Sequence, residues 1–427
     1  MAEHNPVPTS FGAELRRRRL AAGMSISVLA ERIEFSRGFI SKVETGARSP
    51  SLDFVRVADA ALDAGGEFIA MFAPRTPAQP LVPVAGMIRR HELATQGADG
   101  VVVPAGHNSP AAIGLEGDAP LKVFHQILKN LRDLGQVLEP SQVLAMLRPQ
   151  IAVLRHLAQT SGPADARKAA LVASHFAEYA GWMAQEMGDD VAALRWLDDA
   201  VDLGRTAGNL DLVAYANVRR ANIALYQQDA YGTVSYARRV QTMDCSNRVK
   251  GLAAEREAQG HALAGDYIAF HRSLSLSADL LARSVQIQTP EGLVLGSTKV
   301  RDTGSFAEGW ALHDLGRSAE AVEILTRLLD TTEPTSLRAW GRIGARLALA
   351  LATVNDVRRS CEVIHPVLVQ GIATRSATIR SDLRQLARIL NRRRADPVVR
   401  KIMPDLSSAL TPAVHRPAVE LRQLPEE

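Results

Sequence analysis

The chain has 427 residues, of which 46% are hydrophobic and 22% charged, and its formal net charge is +4. This composition is ordinary for a globular protein, and an aromatic content of only 5% favours helices over strands. The two cysteines lack any metal-type spacing, and no apolar run approaches the roughly 18–20 residues that cross a bilayer. We therefore expect a cytoplasmic protein without a membrane partner.

Residues 10–72 predict a compact set of short helices, because apolar residues recur there at helical spacing. Ser25, Ser36 and Ser51 each stand just before such an apolar run, where a serine hydroxyl can cap free backbone N–H groups. The first 72 residues carry nine Lys or Arg and nine Asp or Glu. Any contact of this segment with DNA must therefore depend on where its charges point, since their sum is zero.

The remainder of the chain divides into three parts by composition. Residues 73–120 are rich in Pro and Gly, which predicts a linker with a short helix at 84–95. Residues 121–410 have a helical pattern almost throughout, and residues 411–427 are expected to form a flexible tail.

A degenerate repeat runs through the helical part. Five segments begin with a turn and continue into a helix that carries one small or apolar packing residue, and these residues are Ala193, Val234, Phe270, Ala321 and Cys361. Their unequal spacing predicts helix hairpins with insertions, and residues 286–304 are either an insertion loop or a distorted repeat. A single hairpin cannot bury its apolar face, so we expect neighbours to stack into a curved array with a concave inner surface.

This part of the chain resembles tetratricopeptide arrays, best at 174–207, where Gly181 takes the close-approach position of the first helix. Most of the aromatic and proline positions of that family are absent. The resemblance implies a concave face, lined by the first helix of each hairpin, that suits a peptide or a partner protein. The residues expected to project near that face are His175, Glu178, Trp182, Arg219, Asn222, Tyr226, Phe306, Trp310 and His313.

The segment from Phe11 to Phe72 resembles the helix-turn-helix domain of phage-repressor-like (XRE-type) bacterial regulators. The similarity lies in Leu15, Arg19, Leu20 and Gly23 and in the stretches MSISVLAERI, SRGFISKVETGARSPSL and ALDAGGEFIAMF. The resemblance implies an ion pair between Arg19 and Glu44 inside the fold. It also marks a departure, because Ile26 stands where the family often has a Gln that braces the DNA backbone.

Within this domain, helix two is predicted at 26–33 and the recognition helix at 37–44, with its N-terminal end in the major groove. Exposed Arg37 and Lys42 can donate to guanine, Ser41 can serve either base type, and Gly38 can allow close approach. Cationic side chains and capped helix N-termini are expected at phosphates. The predicted DNA contacts are Ser25, Ser36, Arg37, Gly38, Ser41, Lys42, Arg48 and, from the first helix, Arg16 or Arg17.

A second basic feature lies near the end of the helical part. Arg380, Arg384, Arg388 and Arg392 recur every four residues and so form one positive stripe on a helix. This stripe is compatible with an extra DNA contact, a clamp between domains, a dimer contact or an ordinary solvated face.

No residue pattern indicates an enzyme. The stretch GLVLGSTKV has the wrong spacing for a phosphate loop, and neither HExxH nor GxSxG occurs. We therefore expect no catalysis, no metal and no cofactor. The sequence predicts an all-α protein, with a five-helix repressor-like helix-turn-helix domain followed by a tetratricopeptide-like α-solenoid.

Two functions fit this architecture. The first is a homodimeric transcriptional regulator that binds double-stranded DNA at the nucleoid and senses a peptide or small effector, similar to the peptide-sensing regulators of Gram-positive bacteria. The alternative is a DNA-tethered scaffold that holds a protein partner and has no small ligand.

Overall fold

The computed structural model describes residues 10–72, 119–284, 293–297, 299–300, 302–371 and 374–411. Regular structure in these ranges consists of nineteen α-helices without a strand, which confirms the predicted all-α class. The predicted linker at 73–120, its helix at 84–95 and the tail at 411–427 lie almost entirely outside the described residues, so their boundaries stay predictions. None of the described helices is long and apolar enough to span a membrane.

The first five helices form a unit at residues 10–72, called the head below. Its helices are α1 Phe11–Ala21, α2 Ile26–Ile33, α3 Arg37–Glu44, α4 Leu52–Ala61 and α5 Glu67–Phe72. The hydroxyls of Ser10, Ser25, Ser36 and Ser51 each accept a hydrogen bond from the backbone N–H three residues later. These caps fix where α1 to α4 begin, and the predicted bounds of α2 and α3 are confirmed.

The head has its own apolar core, in which Leu15, Ile40 and Phe54 are completely buried. Helix α1 crosses α3 at Gly12, where a Cβ atom would lie only 2.2 Å from the carbonyl oxygen of Val43. Glycine is therefore required at the crossing, because any side chain would collide with backbone that has no room to move.

Fourteen further described helices form the body, residues 119–411. The first half comprises α6 Ala119–Leu134, α7 Pro140–Thr160, α8 Pro163–Met187, α9 Asp190–Ala207, α10 Leu210–Tyr226, α11 Ala230–Gln241 and α12 Asn247–Leu263. The second half comprises α13 Tyr267–Ala282, α14 Thr303–Asp314, α15 Ser318–Thr331, α16 Leu337–Thr353, α17 Val357–Gly371, α18 Ala377–Asn391 and α19 Pro397–Leu410. Consecutive helices pack as antiparallel hairpins, from α6 with α7 to α16 with α17, and neighbouring hairpins pack side by side.

In the second helix of each hairpin, the fourth residue of the helix is the shared packing position. Ala193, Phe270 and Ala321 occupy it as predicted, and each is completely buried. In α11 and α17 this position is taken by Thr233 and Ser360, one residue before the predicted Val234 and Cys361, although Cys361 is itself buried in the core. The repeat therefore tolerates a hydroxyl there, since the Thr233 and Ser360 hydroxyls donate to backbone carbonyl oxygens.

The first helices α8, α10, α12, α14 and α16 lie between their own second helices and the neighbouring hairpins. Most of their side chains are consequently buried on every side, as in α16, where nearly all residues after Leu337 are inaccessible. Alanines such as Ala345, Ala348 and Ala350 let the adjacent helices approach closely. Several of their polar side chains line the inner surface of the array, and Asp314 and Arg346 lie at the contact with the head.

Candidate functional site

Helix α3 has a narrow exposed polar face, and its opposite face is buried in the head core. Ile40 and Val43 anchor it, being 0% and 2% exposed. The Ser36 hydroxyl accepts the Phe39 N–H at 3.2 Å and holds the first turn in place. The predicted base-reading residues Arg37, Ser41 and Lys42 lie on the exposed side of this helix, and so does Gly38, which was expected to allow close approach. This arrangement lets the N-terminal half of α3 enter a major groove without moving the core.

The residues predicted to contact phosphates lie around α3, and they differ in how far other contacts within the protein restrict their side chains. Arg48 is exposed, and its guanidinium lies 4.8 Å from the centroid of the Phe39 ring, which restricts it to one side of the helix. Ser25 accepts the Val28 N–H at 3.1 Å, so it is a cap of α2 with an exposed N-terminal turn. Arg16 is exposed and forms no ion pair with any described residue.

Arg17 is less suited to a phosphate contact than Arg16, because its Nε donates to Glu14 at 2.8 Å. Glu14 thus screens the charge of Arg17. At the first position of α2, Ile26 is half-buried against the head core and offers no hydrogen-bond donor. The brace that a Gln would supply is therefore missing at this position, as expected from the sequence.

The predicted pair of Arg19 and Glu44 is confirmed as a bidentate ion pair. Arg19 Nε donates to Glu44 Oε1 at 2.6 Å, and Arg19 Nη2 donates to Glu44 Oε2 at 2.9 Å. The third donor of Arg19 reaches the carbonyl oxygen of Met24 at 2.8 Å. Both side chains are nearly inaccessible, so this pair ties the end of α3 to α1 and is not available to DNA.

A cavity of about 160 Å³ opens at the inner surface of the body. Its walls come from α6, the first helices α8, α10, α12, α14 and α16, and residues 296, 297, 299 and 300. Five of the nine predicted effector residues line it, namely Glu178, Trp182, Arg219, Asn222 and Phe306. The expectation that first helices meet at one inner surface therefore matches the positions of these five side chains, while their role in binding stays a prediction.

The other four predicted effector residues, His175, Tyr226, Trp310 and His313, do not line the cavity. Trp310 is 2% exposed in the apolar core, and the Tyr226 hydroxyl accepts a hydrogen bond from Arg342 at 3.2 Å. Burial, together with the positive charge of Arg132, lowers the pKa of His175 to about 3.

His313 is also buried, bonded to the Ser318 hydroxyl at 3.1 Å, and burial lowers its pKa well below the usual value. Both His175 and His313 are therefore neutral packing residues.

The head contacts the body through a buried chain of charges. Arg56 Nη2 of α4 donates to Asp314 Oδ1 of α14 at 2.8 Å, and the two side chains are 5% and 2% exposed. Arg346 of α16 approaches the same Asp314 oxygen at 3.5 Å and pairs with Asp382 at 2.7 Å. Asp314 is thus shared between Arg56 of the head and Arg346 of the body, and Arg346 in turn pairs with Asp382, so this chain of charges connects α4 with α14, α16 and α18.

A second contact reaches the turn between α2 and α3. Arg393 Nε lies 3.0 Å from Glu34 Oε1, and the Arg392 guanidinium lies 4.0 Å from the centroid of the Phe35 ring. Glu34 ends α2 with φ at 54° and so sets the direction in which α3 leaves the turn. Of the predicted basic stripe, Arg392 therefore acts as a contact between head and body.

Sequence reasoning missed Arg56, Arg338, Arg342 and Arg346 as site residues. Arg56 was counted only among the head's cations, and its partner Asp314 is 258 positions away. A signal for the other three did exist. Arginines at positions 338, 342 and 346 recur every four residues in the otherwise apolar helix LRAWGRIGARLALALAT, and buried charges of this kind need partners.

Among the described residues, no group of three or more His, Cys, Asp or Glu side chains is placed to hold a metal ion. Residues 10–70 match a family model described as a helix-turn-helix domain. No curated protein and no solved structure matches the chain. The chain therefore has a helix-turn-helix domain at residues 10–70, followed by a packed helical region consistent with a solenoid.

Proposed function

We propose that this protein is a sequence-specific transcriptional regulator of the XRE type, cytoplasmic and homodimeric, whose tetratricopeptide-like body binds an effector. The helix-turn-helix domain supports binding to double-stranded DNA. The cavity at the inner surface of the body supports binding of an effector. We propose a regulatory role, because residues 10–70 match a helix-turn-helix domain.

The observation that carries this proposal is the position of two arginines on α16. Arg342 lines the cavity, and Arg346, one turn later on the same side of the helix, belongs to the charged contact with Arg56 of the head. A ligand that draws Arg342 toward itself would shift or tilt α16. That displacement would change the distance from Arg346 to Asp314 and with it the position of the head.

Dimerisation is proposed on physical grounds. One α3 helix presents only a few base-reading side chains, and specificity at the level of a genome requires more contacts. Two heads on half-sites about 10–10.5 base pairs apart would supply them. The effector would then act by changing the separation or orientation of the two heads, so that the pair fits its operator in one state and not in the other.

Thermodynamic linkage provides the test. Operator DNA would first be selected in vitro with the full chain. Candidate effectors would then be identified as compounds or peptides that raise the thermal stability of the protein. An effector should change operator affinity about 5- to 150-fold, and operator DNA should change effector affinity by the same factor. The effect of the effector on operator affinity should be much smaller in Arg346→Met than in the parent protein. Arg358→Met is the control, since Arg358 is exposed on α17, and it should keep the full effect. If no compound or peptide binds the body and changes operator affinity, the sensing function is contradicted and the DNA-tethered scaffold is favoured instead.

A further inference from the structure

The cavity is lined by more positive than negative groups. Six cationic side chains reach it, namely Arg132, Arg219, Arg256, Lys299, Arg338 and Arg342. Only two carboxylates do so, Glu178 and Glu255. The ligand preferred by this surface therefore depends on how many of the six charges are already compensated within the protein.

Two carboxylates at the wall neutralise part of this charge. Glu178 lies between two arginines, 3.7 Å from Arg132 Nη2 and 3.3 Å from Arg219 Nε. Glu255 pairs with Arg256 at 3.2 Å and also accepts the Thr303 hydroxyl. Two of three arginine charges are compensated in this way, since one carboxylate serves both Arg132 and Arg219.

The remaining three cations differ from one another. Arg338 pairs with Glu186 at 2.6 Å, and Lys299 pairs with Asp133 at 2.7 Å. Arg342 forms no ion pair with a described carboxylate, and its only hydrogen bond among the described residues goes to the neutral Tyr226 hydroxyl. With the shared Glu178, this leaves about two positive charges at the cavity without an ion pair of their own, since Glu186 and Asp382 act on Arg342 only from beyond ion-pair distance.

The two arginines concerned also have unused donors. Within the described part of the chain, the Nε–H groups of Arg219 and Arg342 are buried and have no hydrogen-bond partner. Arg219 Nε lies 3.3 Å from Glu178 Oε1, but the angle is too poor for a hydrogen bond. Both guanidinium groups lie over the Trp182 ring, at 4.4 and 5.3 Å from its centroid, and Arg342 also lies 5.2 Å from the centroid of the Phe306 ring. The rings hold both arginines in position while keeping water from one side.

Burying unsatisfied charged donors is costly, and an anion that accepts from both arginines would offset that cost. The size of the cavity limits what this anion can be. Roughly 10–15 Å³ of such volume holds one water-sized group, so 160 Å³ accommodates on the order of ten to fifteen non-hydrogen atoms. An extended peptide of several residues has many more atoms than this and would have to lie largely outside.

We propose that the effector of this cavity is a small organic dianion, a phosphate monoester or a dicarboxylate, held by Arg219 and Arg342 beside Trp182. The proposal rests on the proposed effector function of the same site and specifies its ligand. Doubly charged phosphate and paired carboxylates share the chemistry that the cavity requires, namely several acceptor oxygens with a charge of about −2. Phe306 and Tyr215 at the wall would cover the carbon part of the ligand.

Isothermal titration of the full chain with matched probes tests this proposal. The probes are ribose 5-phosphate and succinate, with ribose and dimethyl succinate as uncharged counterparts and inorganic phosphate as the bare anion. At least one organic dianion should bind at least about a hundredfold more tightly than its uncharged counterpart, and added salt should weaken it. Comparison of the phosphate with the carboxylate probes identifies which anion the cavity prefers.

Three variants separate the role of the cavity from general folding. Arg342→Met should weaken dianion binding by about tenfold to a hundredfold, because it removes a charged hydrogen-bond donor. Arg342→Lys should retain part of the affinity, since it keeps the charge. Arg358→Met removes an exposed arginine far along α17 and should leave binding unchanged. Circular dichroism and thermal unfolding of each variant verify that the body remains folded.

The outcomes distinguish this proposal from the proposed function on which it rests. Binding of a dianion that is lost in folded Arg342→Met and kept in Arg358→Met supports it. The proposal is overturned by equal binding of charged and uncharged probes, by unchanged binding in Arg342→Met, or by no binding of any dianion at millimolar concentration. If dianions fail while a peptide or neutral compound alters operator affinity, the regulator function stands and only the ligand class is wrong.

Discussion

The ion pair between Arg56 and Asp314 should hold the head against the body, and Arg56→Met tests that role. Methionine keeps most of the volume and removes the charge, so the packing of α4 is disturbed as little as possible. The change leaves Asp314 with Arg346, whose Nη1 lies 3.5 Å away, as a remaining cationic neighbour. The head core does not include the Arg56 guanidinium, and the head should stay folded.

The expected magnitude follows from burial of the pair. With side chains only 5% and 2% exposed, removal of one partner of such a pair costs about 3–5 kcal/mol. Arg346 partly compensates Asp314, so we expect the lower end, about 3 kcal/mol. Each 1.4 kcal/mol is a factor of ten, and the ratio of docked to undocked head should therefore fall by somewhat more than about a hundredfold.

Hydrogen exchange measured by mass spectrometry reports this change. The informative peptides cover Gly66 and Ile69 in the head and Leu315 and Gly316 in the body, because these residues approach one another closely across the contact. Exchange in both should accelerate in Arg56→Met and stay unchanged in the control Arg32→Met, which removes an exposed arginine of α2. Peptides from α9 to α11 should exchange at the same rate in all three proteins.

The same experiment can refute the reasoning. If the head and body peptides in Arg56→Met exchange as in the parent protein, this ion pair does not hold the head, and the route from α16 to the head loses its basis. A double-mutant cycle with Asp314→Asn adds a second criterion, since partners in direct contact should show a coupling energy of about 0.5–3 kcal/mol.

Three further predictions concern the head. Lys42→Ala should cost about 1–3 kcal/mol of binding free energy at one base pair of a selected operator. Arg48→Ala should weaken binding to all sequences alike and lower the slope of log affinity against log salt concentration by about one. Identical behaviour of the two variants in competition assays would contradict the docking of α3 in the major groove. Gly12→Ala should destabilise the head by about 3 kcal/mol in urea unfolding, because its Cβ would meet backbone at 2.2 Å, while Gly38→Ala meets nothing within 4 Å and should be near neutral. Burial raises the pKa of Asp59 from 3.8 to about 6, so the folded chain binds this proton more tightly than the unfolded chain. The unfolding free energy relative to Asp59→Asn should then fall by about 2.4 kcal/mol as pH rises from about 4 to 7, and parallel curves for the two proteins would exclude this shift.

The parts of the fold that were predictable from sequence are those set by local pattern. Serine caps before apolar runs determined α2 and α3, because a cap and a helical spacing involve residues within a few positions of one another. The pair of Arg19 and Glu44 came from family resemblance, since 25 residues separate its members. The second helices of the hairpins were recognisable from their turns, although the register slipped by one residue at Thr233 and Ser360.

The inner surface was harder to predict because α14 is buried on nearly all sides. Phe306, Trp310 and His313 share one helix face at a spacing of three to four residues, yet only Phe306 lines the cavity. A helix without a polar face provides no pattern from which its orientation can be deduced. The contact of Arg56 with Asp314 was not predictable for another reason, because no local rule connects residues 258 positions apart.

The central claim, sequence-specific binding of DNA by a dimer, is tested most directly by selecting duplex DNA with the full chain. The dissociation constants of the parent protein and of Lys42→Ala are then measured for the selected site and for a scrambled site. Anisotropy should be recorded at one stated salt concentration, with light scattering of the complex. The account predicts an enriched site with two related halves about one helical turn apart, two chains per site, and reduced discrimination in Lys42→Ala. A pool without any enriched sequence, or equal discrimination by both proteins, would contradict it.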